Sequence, residues 1–233
     1  MRLTSRFQIS FLPVFSPDHG LTGGGIALGG GGAFNASLNV RPGDIVTKEM
    51  VATTFNVALE DLQQSHPMAS WCSYKMIEND KTLNVDVSIQ IHDTAEAAAE
   101  DFRNATRNIP AGETLEAEQA LQEKSAGSYG LGIDATHNVF TCAISAIRQR
   151  GIQFENVYGV ADQARFETTE GTLRLQQGNL RMTLSAFYGP DMTIPDIITA
   201  ESIMQAVTTW QQSTMRQRKE QTIALAKAAL ARL

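Results

Sequence analysis

Leu83, Val85, Val87, Ile89 and Ile91 alternate with Asn84, Asp86, Ser88 and Gln90. Strict period-two alternation predicts a strand over 82–91 with one dry face and one wet face, set in an antiparallel sheet. The same pattern returns near the end of the chain, where Leu180, Met182, Leu184, Ala186 and Tyr188 alternate with Arg181, Thr183, Ser185 and Phe187. Cys72, Tyr74 and Met76 share one face of a third strand, 71–77, and the polar turn Glu78-Asn79-Asp80-Lys81 joins it to 82–91 as a hairpin. Strand character also marks 139–147, 163–168 and 172–176. Glu170-Gly171 and Gly178-Asn179 are turn signals, so 163–188 reads as a meander that Gly189-Pro190 ends.

Helical periodicity lies between these strands. Val51, Phe55, Ala58, Leu59 and Leu62 form a stripe predicting a helix over 47–64, stopped by His66-Pro67. Asp93 and Glu96 have capping-box spacing and open a second helix reaching about Asn108, with Ala95, Ala98, Ala99, Phe102 and Ala105 as its dry stripe. Thr199 caps a C-terminal helical tail with two stripes, Ile203, Val207 and Trp210, then Ile223, Ala226, Leu230 and Leu233. The polar run Gln211–Gln221 between them predicts a break or a solvent-exposed middle. Helices separated from hairpins in this way indicate an α+β domain, a mostly antiparallel sheet with helices packed on one side, and not a parallel βαβ sheet.

The ends and the middle are less regular. Residues 1–45 hold one candidate edge strand, Arg6 to Val14, and a tract with seven glycines between 23 and 32, most simply a flexible segment. Residues 46–233 are then a single domain, with an insertion at about 110–135 that includes the glycine-rich loop 125–132. Arg2 and Arg6 before Phe7–Phe15 faintly suggest an export signal, but Gln8, Ser10 and Pro13 break the apolar run and no small-residue cleavage site follows. No stretch has the length of a transmembrane helix. Net charge of −6 argues against nucleic acid as the partner, since phosphate binding needs clustered Lys and Arg.

Candidate chemistry changes this picture little. The glycine tract lacks the spacing of a dinucleotide fingerprint, and no Gly-Lys-Ser/Thr follows it to make a phosphate loop. His19, His66, His92 and His137 stand far apart without metal-ligand spacing, so neither metal nor cofactor is expected. Ser128 lacks the preceding glycine at the position a nucleophile elbow requires, which Ala126 occupies. Cys72 and Cys142 allow two readings. They pair in an oxidising compartment, closing a loop worth about 4 kcal/mol, or they are two buried core thiols. Carboxylates such as Asp86 and Glu167 could pair only through the fold.

The order of several segments is familiar. WCSYK, LNVDVSIQI, DTAEAAAEDF, YGVADQARF, LRLQQGNLRMTLSAF and TIALAKAALARL together resemble small secreted bacterial lipoproteins of unknown function with a PsbP-like α/β/α sandwich. The resemblance spans roughly 45–233. In that family a Gly-x-Gly-Asp-x-Ala turn precedes the last hairpin, matched here by Gly159-Val160-Ala161-Asp162-Gln163-Ala164 with Ala161 in place of the second glycine. No lipobox cysteine is present. The resemblance implies a non-catalytic binding or accessory role outside the cytoplasm and transfers no active-site residues.

The expected function is therefore binding of a partner protein or a small ligand. The candidate loops are those around Gly127, Ser128, Tyr129 and Gly130 and around Gly159 to Asp162, because loops on a rigid scaffold carry such function. The rival is an enzyme whose site is assembled from His92, His137 and Asp162. Self-association through the C-terminal helix is a further possibility.

Overall fold

The computed structural model describes residues 40–78, 80–110, 151–193, 195 and 199–232. The expectations for Arg6–Val14, the glycine tract, the insertion, the strand at 139–147, His137 and Cys142 lie outside the described residues. The protein is an α+β fold built on a seven-stranded antiparallel sheet. Its elements in chain order are α1 (Pro42–Ile45), α2 (Lys48–Phe55), β1 (Gln63–Met68), β2 (Trp71–Glu78), β3 (Lys81–Ile91), α3 (Ala95–Ala105), β4 (Phe154–Asn156), β5 (Gln163–Glu167), β6 (Thr172–Gln177), β7 (Leu180–Pro190) and α4 (Ala200–Leu230). The spatial order is β1-β2-β3-β7-β6-β5-β4, two meanders joined by the long pairing of β3 with β7.

The two alternating strands lie side by side at the centre. Val85 faces Ala186, Val87 faces Leu184 and Ile89 faces Met182 across the ladder. Their dry sides merge with Cys72, Tyr74 and Met76 on β2 and with Leu173, Leu175 and Phe166 on β6 and β5. Val46, Val51, Phe55, Leu225, Ala226 and Ala229 close this layer from above. Each fully buried aliphatic side chain here contributes about 1.5–3 kcal/mol. Pro42 and Ile45 are buried too, so the packed domain starts ahead of residue 46.

The first predicted helix is cut in two. Thr47 Oγ1 caps α2 by accepting from the Met50 amide at 3.3 Å, and Asn56 ends it at φ 51°. Asn tolerates this left-handed conformation better than most residues because its short side chain crowds little. Beyond it Leu59 is 38% exposed, Leu62 is buried from a loop, and β1 begins. His66 and Pro67 thus lie within a strand. β1 shows no alternation because it is the sheet's edge, where a proline without its N–H is tolerated. β4 escaped the pattern for the same reason, being an edge strand of three residues.

The second helix is capped by Thr94, whose Oγ1 accepts from Ala97 N at 3.1 Å, and it stops at Ala105. It does not join the other helices. Its main contacts are with β6 and β7 on the wet face, where Arg165 and Arg174 stand opposite each other and Arg181 lies one row further along, opposite Gln176. Helices therefore cover both faces, against the expected single side. The expectation failed because those arginines look like solvent-facing groups until α3 supplies acceptors for them.

The C-terminal helix runs unbroken for 31 residues, about 46 Å. The polar run expected to break it has a partner. β6 pairs with β7 only as far as Ser185, which leaves Ala186 and Tyr188 with backbone groups facing outward. Thr222 Oγ1 accepts from Ala186 N at 3.0 Å and donates to Ala186 O at 3.1 Å. Gln221 repeats this at Tyr188, accepting from its N and donating to its O, both at 2.9 Å. Gln217 Nε2 donates to the same carbonyl, and Trp210 Nε1 donates to Pro190 O at 3.0 Å. Side chains of α4 thus take the place of a strand along β7. The buried face consequently runs through Thr222, Leu225, Ala226 and Ala229 and is displaced from the predicted stripe.

Replacing Thr222 by Val keeps its shape and deletes both bonds to Ala186. The buried amide is then left without an acceptor, and the expected cost is about 1–3 kcal/mol. Urea unfolding of Thr222→Val measures it, and a loss below a few tenths of a kcal/mol would contradict the surrogate-strand role.

Candidate functional site

The segment between β4 and β5 is short, anchored at both ends and exposed at its tip. Val157 N donates to Ala164 O at 2.9 Å, closing the hairpin. Val157, Val160 and Ala161 pack against the core and hold the loop from beneath. The Asp162 carboxylate reaches to the neighbouring β6–β7 turn, accepting from Gly178 N at 2.8 Å and from Gln177 Nε2 at 3.2 Å. Gln163 Nε2 donates to Gln176 Oε1 at 3.3 Å and ties the same two hairpins one step further in. Gly159 lies at φ +70°, with open space where a Cβ would project. This combination turns Tyr158 outward, and the residue is 83% exposed. Its hydroxyl accepts from Asn156 Nδ2 at 3.4 Å. A large aromatic held out on a tethered loop loses little conformational freedom when it meets a partner.

Several charged groups are occupied elsewhere. Arg165 donates to Thr106 O at 2.6 Å and Arg174 donates to Ala105 O, so two guanidiniums cap the carbonyl end of α3, where the helix dipole is negative. Arg165 and Arg174 also lie over the Phe154 ring. Arg181 pairs with Asp101 at 2.9 Å and donates to Gln90 Oε1 at 2.6 Å. Lys219 of α4 pairs with Glu155 of β4 at 2.7 Å. At the β5–β6 turn Glu167 is only 3% exposed and meets Arg174 at 3.4 Å. Burial, then the neighbouring Glu170 carboxylate, push the Glu167 carboxyl up to about 7. Burial also raises Glu170 and pulls the Arg218 guanidinium down to about 10.

On the wet face of β3, burial raises the Asp86 carboxyl, against the opposing hydrogen bonds from Ser73 and Trp71. Trp71 Nε1 donates to it at 3.3 Å. Asp86, Ser185, Thr172 and Glu167 lie in one row across β3, β7, β6 and β5. Three strand spacings, about 14 Å, therefore separate the two carboxylates, and they form no catalytic pair.

The sequence-derived candidates divide clearly. Gly159 and Asp162 belong to the tethered loop, as tip and anchor. Gly127, Ser128, Tyr129 and Gly130 lie outside the described residues. His92 and Asp162 meet the β6–β7 turn through different residues. His92 N donates to Asn179 O at 2.9 Å, while its ring faces Asp101 at 3.2 Å. Asp162 is committed to Gly178 and Gln177. Cys72 is a buried free thiol whose Sγ accepts from Gln64 Nε2 at 3.4 Å. The same amide lies 3.2 Å from Tyr74 Oη and 3.1 Å from His66 Nε2, and Tyr74 Oη donates to Val46 O. That network pins β1 and β2 to the chain leaving α1. Among the described residues no group of three or more His, Cys, Asp or Glu side chains could hold a metal ion. Among them, too, no helix is long and apolar enough to cross a membrane.

Comparison with known proteins returns nothing: no family model, no curated protein and no solved structure matches this chain.

Sequence reasoning missed Tyr158. An isolated aromatic before a glycine has no periodicity to betray it, and its one available signal was its place directly before the Gly159–Asp162 turn. Removing the anchor tests the geometry. Asp162→Ala should cost about 1 kcal/mol and speed amide exchange at Gly178, whose N–H loses a charged acceptor. Exchange at Gly178 unchanged from wild type would show that the clamp does not hold the loop.

Proposed function

We propose that this protein is a non-enzymatic binding or accessory protein that recognises its partner through the β4–β5 loop, with Tyr158 as the central contact. One observation carries the reading. The loop is tied to the core by Val157, Val160 and Ala161 and to the next turn by Asp162, yet it exposes a tyrosine almost fully. Such rigid aromatic anchors are enriched among the residues that dominate binding energy. The charged residues support the same reading, since Arg165, Arg174, Arg181 and Asp101 close on one another and on backbone carbonyls. A place outside the cytoplasm rests on the sequence resemblance alone.

The experiment compares wild type, Tyr158→Ala and Tyr158→Phe as immobilised bait against the soluble and envelope fractions of the source cell. A genuine partner is retained by wild type and by Tyr158→Phe. It is reduced at least tenfold on Tyr158→Ala, equivalent to about 1.4 kcal/mol. The alanine variant should unfold within about 0.5 kcal/mol of wild type, because it removes an exposed side chain. Equal retention by all three proteins, or retention of nothing by wild type, would remove this reading.

A further inference from the structure

Along β4 the main chain alternates between two sides. Val157 N donates to Ala164 O and Thr168 N donates to Gln153 O, so Gln153, Glu155 and Val157 turn their N–H and C=O toward β5. Ile152, Phe154 and Asn156 turn theirs to the outer edge. The chain leaving α3 covers the first part of that edge. Ile109 and Ile152 exchange both main-chain bonds at 2.9 Å in an antiparallel bridge. Phe154 N donates to Asn108 Oδ1 at 2.8 Å, and Phe154 O accepts from Arg165 Nη2 at 3.1 Å. Asn156 is the next outward-facing residue. It is exposed, and its N–H and C=O enter no hydrogen bond among the described residues. Because 106–109 runs antiparallel to β4, its later residues lie beside Ile152, away from Asn156.

The surroundings of Asn156 supply an aromatic ring and positive charge. Its Nδ2 donates to Tyr158 Oη at 3.4 Å, so the exposed tyrosine lies on the same side of the strand. Arg165 stands opposite Asn156 in the ladder and donates to Thr106 O at 2.6 Å. That bond brings the end of α3 to the edge, where Arg107, between Thr106 and Asn108, is exposed. Arg103, one turn earlier, is exposed as well. The two carboxylates of the β4–β5 hairpin nearest in sequence are engaged elsewhere. Glu155, on the opposite face by alternation, pairs with Lys219 at 2.7 Å, and Asp162 holds the Gly178 amide.

We infer that the outer edge of β4 at Asn156 takes up a short extended segment of an acidic polypeptide. This rests on the reading of the β4–β5 loop as the binding surface and names the form of its partner. The added segment continues the line begun by Ile109 and exchanges main-chain hydrogen bonds with Asn156. One of its side chains packs on Tyr158, and its carboxylates face Arg107 and Arg103. An exposed sheet edge is a template for pairing, and in strand addition main-chain bonds hold the peptide while side chains select it. Cations at the rim favour an acidic sequence and reject a basic one.

Panning a phage library of random linear dodecapeptides on the full chain, then titrating the recovered sequences as synthetic peptides, tests the edge. Asp and Glu should be enriched over the unselected library. Asn156→Pro removes the outward N–H at an edge position, where proline is tolerated, and should weaken binding roughly tenfold relative to Asn156→Ala. Arg107→Glu should weaken it by roughly the same factor relative to wild type. The inference is overturned by recovery of no peptide, or of peptides without acidic enrichment. It is equally overturned if Asn156→Pro binds as Asn156→Ala does, or Arg107→Glu as wild type does. Should Asn156→Pro not fold, peptides N-methylated at single backbone amides replace it, and unchanged affinity at every position is then the overturning result. Tyr158→Ala separates this inference from the loop reading. Binding lost only on Tyr158→Ala keeps the loop and removes the edge, whereas binding lost on the other two variants but kept on Tyr158→Ala keeps the edge and removes tyrosine as the central contact.

Discussion

Half of one strand edge governs how this molecule is assembled. β7 is long enough to pair with all of β3, but β6 reaches only to Ser185, so the backbone of Ala186 and Tyr188 would face a buried or half-buried space unpaired. A buried amide without a partner costs more than most side-chain contacts return. The chain answers with α4. Thr222 and Gln221 each offer an acceptor and a donor to one residue of β7, and Gln217 and Trp210 extend the match toward Pro190. That requirement fixes where α4 lies. Leu225, Ala226 and Ala229 are then delivered to the dry face, and Trp210 and Arg218 to Phe187.

The wet face shows a second use of polar groups. Arg165 and Arg174 stand opposite each other on β5 and β6, and like charges so placed are unfavourable without acceptors nearby. The end of α3 provides them in Thr106 O and Ala105 O, and Phe154 lies beneath both cations. The arginines satisfy the helix end, and the helix end makes the arginine row tolerable. The Asp162 clamp joins the β4–β5 loop to the β6–β7 turn and leaves Tyr158 at the tip. Core, helix cap and presented loop are thus successive parts of one pair of hairpins.

What could be read in advance follows from where periodicity exists. The central strands β3 and β7 alternate because one face of each is dry, and both were legible to within two residues. Thr199 as the cap of α4 was legible from capping chemistry alone, and its Oγ1 accepts from Ser202 N. The edge strands β1 and β4 were not, since an edge of three to six residues has no dry side to enforce alternation. The candidate loop was half legible. Gly159 and Asp162 marked a turn, but nothing in the order of residues showed that Asp162 would clamp Gly178 or that Tyr158 would point outward.

The sequence by itself determined the α+β class, the pairing logic of the two long strands and the caps that start the C-terminal helix. These depend on contacts within a few residues or on a period of two, and both are written directly in residue order. Tertiary structure alone decided that α3 lies on the arginine face, that Gln211–Gln221 stays helical, and that Glu167 is buried beside Arg174. Each of those outcomes depends on a hydrogen-bond or charge partner seven to sixty-nine residues away. A polar side chain reads as solvent-facing until the fold brings that partner to it.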